Sequence, residues 1–142
     1  MTHIPYPTIR LLPKVSTQKL RFGFPWVYSN ELVMDRRTKK IPPGSFVNLN
    51  DGLGQFMGVC TFNPESKIAA RFMGRTEGQI INKDWLQAKL TTALSLRDRL
   101  YDKPFYRLIH AEADGLPGVI IDRFGDTAVI QPNATWAEDM LG

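Results

Sequence analysis

Arg107-Leu-Ile-His-Ala-Glu-Ala-Asp-Gly-Leu-Pro-Gly-Val-Ile-Ile-Asp-Arg-Phe-Gly-Asp-Thr-Ala-Val-Ile-Gln131 alternates apolar and polar residues over Leu108 to Ala113, reverses at Gly115-Leu-Pro-Gly118, and resumes as the β-branched run Val119-Ile-Ile121. Alternation bounded by Gly and Pro is the signature of a strand and its turn, so this part predicts a hairpin. Asp122-Arg-Phe-Gly-Asp126 turns the chain again, with Gly125 free to take a positive φ, into a third strand over Thr127 to Gln131. The product is a three-stranded meander whose first strand sets His110, Glu112 and Asp114 at every second position, hence on one face. An imidazole and two carboxylates together suit an acid–base set or a divalent cation, and equally the solvated or domain-covered side of an antiparallel sheet. A single strand lacks the ligand from a second element that closes most metal sites. No metal is expected, and the three residues are assigned to a domain-interface or substrate-facing surface.

Upstream, the same punctuation recurs. Thr8 to Lys14 reads as a short strand marked by Pro13, and Ser16 to Leu20 as a helical turn capped by Ser16. Gly23-Phe-Pro-Trp26 leads into Val27-Tyr-Ser29, and Ser45 to Asn50 alternates as a half-buried strand. After the Asp51-Gly-Leu-Gly54 turn, Gln55 to Phe62 forms an apolar run in which Gly58 marks a bulge or a close backbone approach. Asn63-Pro-Glu-Ser66 turns the chain into Lys67 to Met73. Short strands at close spacing with Gly and Pro turns predict a small β-barrel. Met34-Asp-Arg-Arg-Thr-Lys-Lys40 has four cations in seven residues and no apolar period, which predicts a mobile basic loop.

Residues 77–103 carry the long helix. Asp84 is its expected cap, with Gln87 at the third helical position, and Leu86, Leu90, Ala93, Leu94 and Leu100 trace the apolar stripe up to Tyr101-Asp-Lys-Pro104. A second helix begins at Thr135 with Glu138 in capping-box spacing. The fold class is α+β: a small β-barrel over residues 1–76, a connecting amphipathic helix over 77–103, and the N-terminal part of an α+β unit over 104–142.

A hydrophobic content of 43% with 23% charged residues is that of a folded chain able to bury a core. The net charge of +4 conceals a division. Residues 1–75 hold 11 Lys and Arg against 4 Asp and Glu, whereas residues 76–142 hold 7 against 10. A basic module joined to an acidic one suggests a polyanion partner for the first. Cys60 is the single cysteine, which excludes an internal disulfide and a one-chain cysteine zinc cluster, and fits a reducing cytoplasm. No run approaches the roughly 20 apolar residues of a membrane span, and the amino terminus has no basic region followed by an apolar stretch.

Glu112-Ala-Asp-Gly-Leu-Pro-Gly118 followed by Asp122-Arg-Phe-Gly-Asp126 resembles the segment before the cofactor domain in the S-adenosylmethionine-dependent 23S rRNA cytosine-C5 methyltransferases. The resemblance continues upstream through Gly23-Phe-Pro-Trp26, Gly44-Ser-Phe-Val47 and Asn63-Pro-Glu-Ser-Lys-Ile-Ala-Ala-Arg71. Each piece is a weak motif, but their order and spacing are specific. The resemblance implies an N-terminal PUA RNA-binding domain, then a small α+β middle domain. A methyltransferase domain would hold S-adenosylmethionine and the nucleophilic cysteine; Cys60, in an apolar strand, is not given that role. No Gly-rich strand-turn-helix for a cofactor occurs in the sequence, so the chain is expected to be a cofactor-free portion of such an enzyme, inactive alone and ending within the middle domain.

The resemblance and the charge division together imply an RNA-binding portion of a cytoplasmic rRNA methyltransferase, with rRNA as partner, no membrane, and a homodimer of the whole protein allowed. A free-standing PUA-type RNA-binding protein and a protein-interaction module are the alternatives. The cations expected on phosphates are Lys14, Lys19, Arg21, Arg36, Arg37, Lys39, Lys40 and Arg71. Trp26, between a rigid proline and a β-favouring pair, has a core role as its commonest fate and base stacking as the alternative; Phe24 shares that alternative.

Overall fold

The computed structural model describes residues 6–141; residues 1–5 and 142, which the sequence-based ranges take in at their ends, lie outside it. The chain divides after Gln79 into two compact units.

Among the described residues, the first unit holds β1 (Thr8–Arg10), β2 (Trp26–Tyr28), β3 (Ser45–Asn50), β4 (Phe56–Phe62) and β5 (Ile68–Gly74) in one sheet of order β1-β3-β4-β5-β2. Only β1 and β3 run parallel. The sheet curls until its ends approach. Leu12 donates its backbone N–H to Glu31 at 2.9 Å, Val33 donates to Arg10 at 2.9 Å, and Leu11 bridges Leu32. Val27, Val47, Leu49, Cys60, Phe62 and Ala70 fill the interior, each large side chain contributing about 1.5–3 kcal/mol by leaving water. Gly58 is the close approach its position suggested. A Cβ there would lie 2.6 Å from the Phe72 ring and 2.9 Å from the Gly74 carbonyl.

Three local expectations are corrected in this unit. The first strand stops at Arg10, because the chain then pairs with Leu32 and turns at Pro13. The helical turn α1 runs Gln18–Arg21 with Thr17 at its N-cap and no side-chain cap, Ser16 Oγ standing 3.5 Å from the Gln18 N–H. The basic segment is no mobile loop. It folds as α2 (Arg36–Lys39), whose N-cap Asp35 accepts from the Thr38 N–H at 2.8 Å while Thr38 and Ile41 are buried.

The second unit contains α3 (Lys83–Leu100), β6 (Phe105–His110), β7 (Val119–Phe124), β8 (Thr127–Pro132) and α4 (Thr135–Leu141). The meander forms with antiparallel order β6-β7-β8, and β7 continues through Asp122 and Arg123, so that the turn shortens to Gly125 and Asp126. The expected polar face does not form. β6 ends at His110, and Ala111–Asp114 coil as a 3₁₀ turn, with Gly115 left-handed after it. Asp114 stabilises that turn: its carboxylate accepts the His110 N–H at 2.7 Å and two hydrogen bonds from Arg97. Leu116, fully buried, draws the turn inward.

α3 is capped by Asn82, not Asp84, since the Asn82 amide oxygen accepts the Trp85 N–H at 2.9 Å. Its inward line also differs from the leucine stripe. Trp85 and Ala93 are buried, Leu86 and Leu90 are half-buried, and Leu94 and Leu100 are exposed. The line instead follows four-residue spacing through Trp85, Lys89, Ala93 and Arg97. Lys89 Nζ stands 5.8 Å from the Trp85 ring centre, and Arg97 reaches Asp114 and the Arg107 carbonyl. Trp85 meets Trp136 edge-on at 6.1 Å, and the Trp136 indole N–H donates to the Pro117 carbonyl at 2.9 Å.

Candidate nucleic-acid interface

β2 determines the surface of the first unit that carries a row of half-buried rings, of which Phe24 also packs against the core. Val27 faces the core at 0% exposure, so alternation turns Trp26 and Tyr28 to the outer side, and Phe24 precedes them at the same spacing. Phe24 meets Trp26 edge-on at 6.2 Å between ring centres and lies 6.5 Å from Tyr28. Across the ladder, Trp26 pairs with Arg71 of β5, whose guanidinium carbon lies 5.6 Å from the indole centre. At the other end, Lys19 Nζ stands 4.9 Å from the Phe24 ring centre and 5.4 Å from that of Tyr28. Glu31 holds that ammonium at 3.5 Å and accepts the Tyr28 N–H at 3.0 Å. The result is a strip of three rings, Trp26, Phe24 and Tyr28, with Arg71 at one end and Lys19 at the other.

Two arginines stiffen the neighbourhood. Arg75 packs on the Phe72 ring at 3.7 Å and donates to the Leu20 and Phe24 carbonyls, which pins the connection between α1 and β2. Partial burial lowers its affinity for the proton from the ordinary arginine value. Arg21 donates to Asp51 at 3.3 Å, and the same carboxylate accepts the Leu53 and Gln55 N–H groups. The α1 end and the β3–β4 turn are therefore fastened side by side. Lys14 is exposed next to Pro13, whose Cα a Cβ on Gly52 of that turn would meet at 2.7 Å.

The structure brings together only some of the expected residues. Lys19, Trp26 and Arg71 join in one strip with Phe24, whereas Arg21 is bonded to Thr17 and Asp51, Arg36, Arg37 and Lys39 lie on α2, and Lys40 is its C-cap. Arg37 is committed elsewhere, donating to the Thr8 carbonyl at 2.8 Å on the opposite edge strand. Tyr28 and Arg75 escaped the sequence reading. The period-two spacing of Phe24, Trp26 and Tyr28 was the signal for the first; nothing local points to Arg75, which acts through contacts about 50 residues away in the chain. In the second unit, His110 is exposed, Glu112 is half-buried, and Asp114 is tied to Arg97. These three share no strand face.

Cys60 is wholly buried, and burial pushes its thiol far above the ordinary range, so it is no nucleophile. Gly115 and Gly118 do not fit a cofactor's phosphate or ribose. They lead into strand β7 and not a helix, and the space beside Gly118 is taken by Ala134, 2.9 Å from where a Cβ would stand.

A model of the PUA-like domain family matches residues 9–75, the stretch that contains the curled sheet and the strip. Residues 9–75 are a PUA-like domain. Over most of its length, the chain is 37% identical across 130 residues to ribosomal RNA large subunit methyltransferase I of Aliivibrio fischeri (strain MJ11), an alignment covering 89% of this chain and 32% of the relative. The corresponding protein of Erwinia tasmaniensis is 36% identical over 135 residues, covering 92% and 34%. The chain is homologous to these proteins and spans about a third of the length of the curated relatives it matches. A solved structure assigned to the SAM-dependent methyltransferases, from Streptococcus mutans, superposes with a TM-score of 0.76 over 95% of this chain and 35% of its own, at 16% identity. A second, assigned to the methyltransferases and complexed with SAH, gives 0.75 over 97% and 35%, also at 16%. At that identity the likeness establishes the fold alone.

Proposed function

We propose that this chain is the RNA-docking portion of an S-adenosylmethionine-dependent rRNA large-subunit methyltransferase acting on cytosine C5 in the cytoplasm. The observation that carries the proposal is the strip of Arg71, Trp26, Phe24, Tyr28 and Lys19 on the PUA-like domain. Cations attract the phosphate backbone irrespective of sequence, and rings give unpaired bases a face to stack on. An excess of seven positive charges over residues 1–75 supplies the long-range attraction. The names of the homologous proteins support rRNA as the polyanion. Methyl transfer from S-adenosylmethionine belongs to the whole protein in this reading, and no step of it is assigned to Cys60 or to the Gly115–Gly118 turn.

Titration of the chain with fragments of large-subunit rRNA at increasing salt tests this. Affinity should fall steeply, with a log–log slope of about −3 to −4 if four or five phosphates are neutralised on single-stranded segments. Arg71→Gln and Lys19→Gln should each make the slope shallower by about 0.7. Absence of RNA binding at low salt would overturn the proposal.

A further inference from the structure

The strip ends at a concavity, and the concavity has an aromatic rim that RNA docking through the strip does not use. Val15, Ser16, Gln18, Lys19, Phe22 and Glu31 line a hollow of about 600 Å³ on the outside of the PUA-like domain. That is ample for one planar heterocycle. Phe22 leaves 83% of its surface in water at the end of α1, where Gly23 takes a positive φ of 104° and carries the chain on into Phe24. Fastened beside it through the Arg21–Asp51 pair, Leu53 is 88% exposed at the tip of the β3–β4 turn. Single exposed apolar residues are common, but here a ring, a hollow and Lys19 coincide.

We infer that this hollow takes one unpaired RNA base, stacked on Phe22, as the strand leaves the strip; the inference rests on the RNA reading above. The charges argue for a base inside and phosphate outside. Glu31 is in the lining, where its carboxylate accepts the Tyr28 N–H and is paired with Lys19; that pair leaves no net positive charge in the hollow for a phosphate, and the remaining carboxylate lone pairs can accept from base N–H groups. Gln18 and Ser16 offer both donors and acceptors to a base edge, while Arg21, bonded to Thr17 and Asp51, lies outside the lining. A duplex cannot use the hollow, because its bases are paired and stacked within the helix.

The test compares the whole chain with its Phe22→Ala variant, binding a labelled single-stranded RNA and a duplex of the same sequence. Phe22 contributes little to the core, so the variant folds. Wild type should prefer the single strand, and Phe22→Ala should bind it roughly tenfold more weakly with an unchanged salt slope and no change for the duplex. Equal single-strand affinity in the two proteins, a uniform loss on both RNAs, or wild-type preference for the duplex would overturn the inference while leaving RNA docking intact. A wild type that binds neither RNA at low salt, or that binds anionic lipid vesicles in their place, would overturn both readings.

Discussion

Cys60 shows how far one side chain is governed by its surroundings. Its sequence context, an apolar strand, already argued against a reactive thiol, and complete burial in β4 raises the proton affinity of the sulfur. The unfolded thiol ionises near 9.0 and the folded one does not, so the stabilisation is present below that value and is lost as the pH rises above it. Between pH 9 and 10.5, wild type should lose stability faster than Cys60→Ala by up to about 1.4 kcal/mol per pH unit, measured by urea denaturation. The Arg107–Asp122 pair in the meander runs the other way: the hydrogen bond from Arg107 holds the Asp122 carboxyl below its usual range. Its contribution is present above the ordinary carboxylate value and is lost in acid.

At the scale of elements, the sequence pattern located the strands, α1, α3 and α4 but left α2 as a loop and misjudged which groups the elements present. On α3 the leucines outnumber other apolar residues, and the pattern favoured a leucine stripe facing inward. The helix instead turns Trp85, Lys89, Ala93 and Arg97 inward, because Arg97 can satisfy Asp114 and the Arg107 carbonyl while Trp85 packs on Trp136. Hydropathy alone gives no weight to such partners. The cap was misplaced for a related reason: Asn82 and Asp84 are both good capping residues, and only the backbone geometry decides between them. Asn82→Ala should lower stability by about 1 kcal/mol, and Asp84→Ala by only about 0.3 kcal/mol through the helix dipole. Thermal unfolding of the two variants checks this, and the reverse order would restore the sequence-based cap. In β6, strict alternation was broken by Asp114, whose carboxylate competes for the backbone N–H of His110 and so converts a predicted strand end into a 3₁₀ turn.

At the scale of the molecule, basic charge and the ring strip coincide in the first unit, and the acidic excess falls in residues 76–142. On addition of single-stranded RNA, amide chemical shifts should change chiefly within residues 9–75, with the largest effects at β2, β5 and α1. Changes concentrated in residues 80–141 would place the RNA on the other unit.

By itself the sequence determined the α+β class, the small curled sheet, the meander, the long helix and the basic half, because turn residues, β-branched runs and charge are local quantities. It also contained Lys19, Trp26 and Arg71 as separate cations and rings. Only the tertiary structure decided that these three meet with Phe24 and Tyr28, that Arg37 is spent on Thr8, and that Asp114 is held by Arg97. Those outcomes depend on strand register and on partners tens of residues apart. No local pattern encodes the side on which two distant strands will pair.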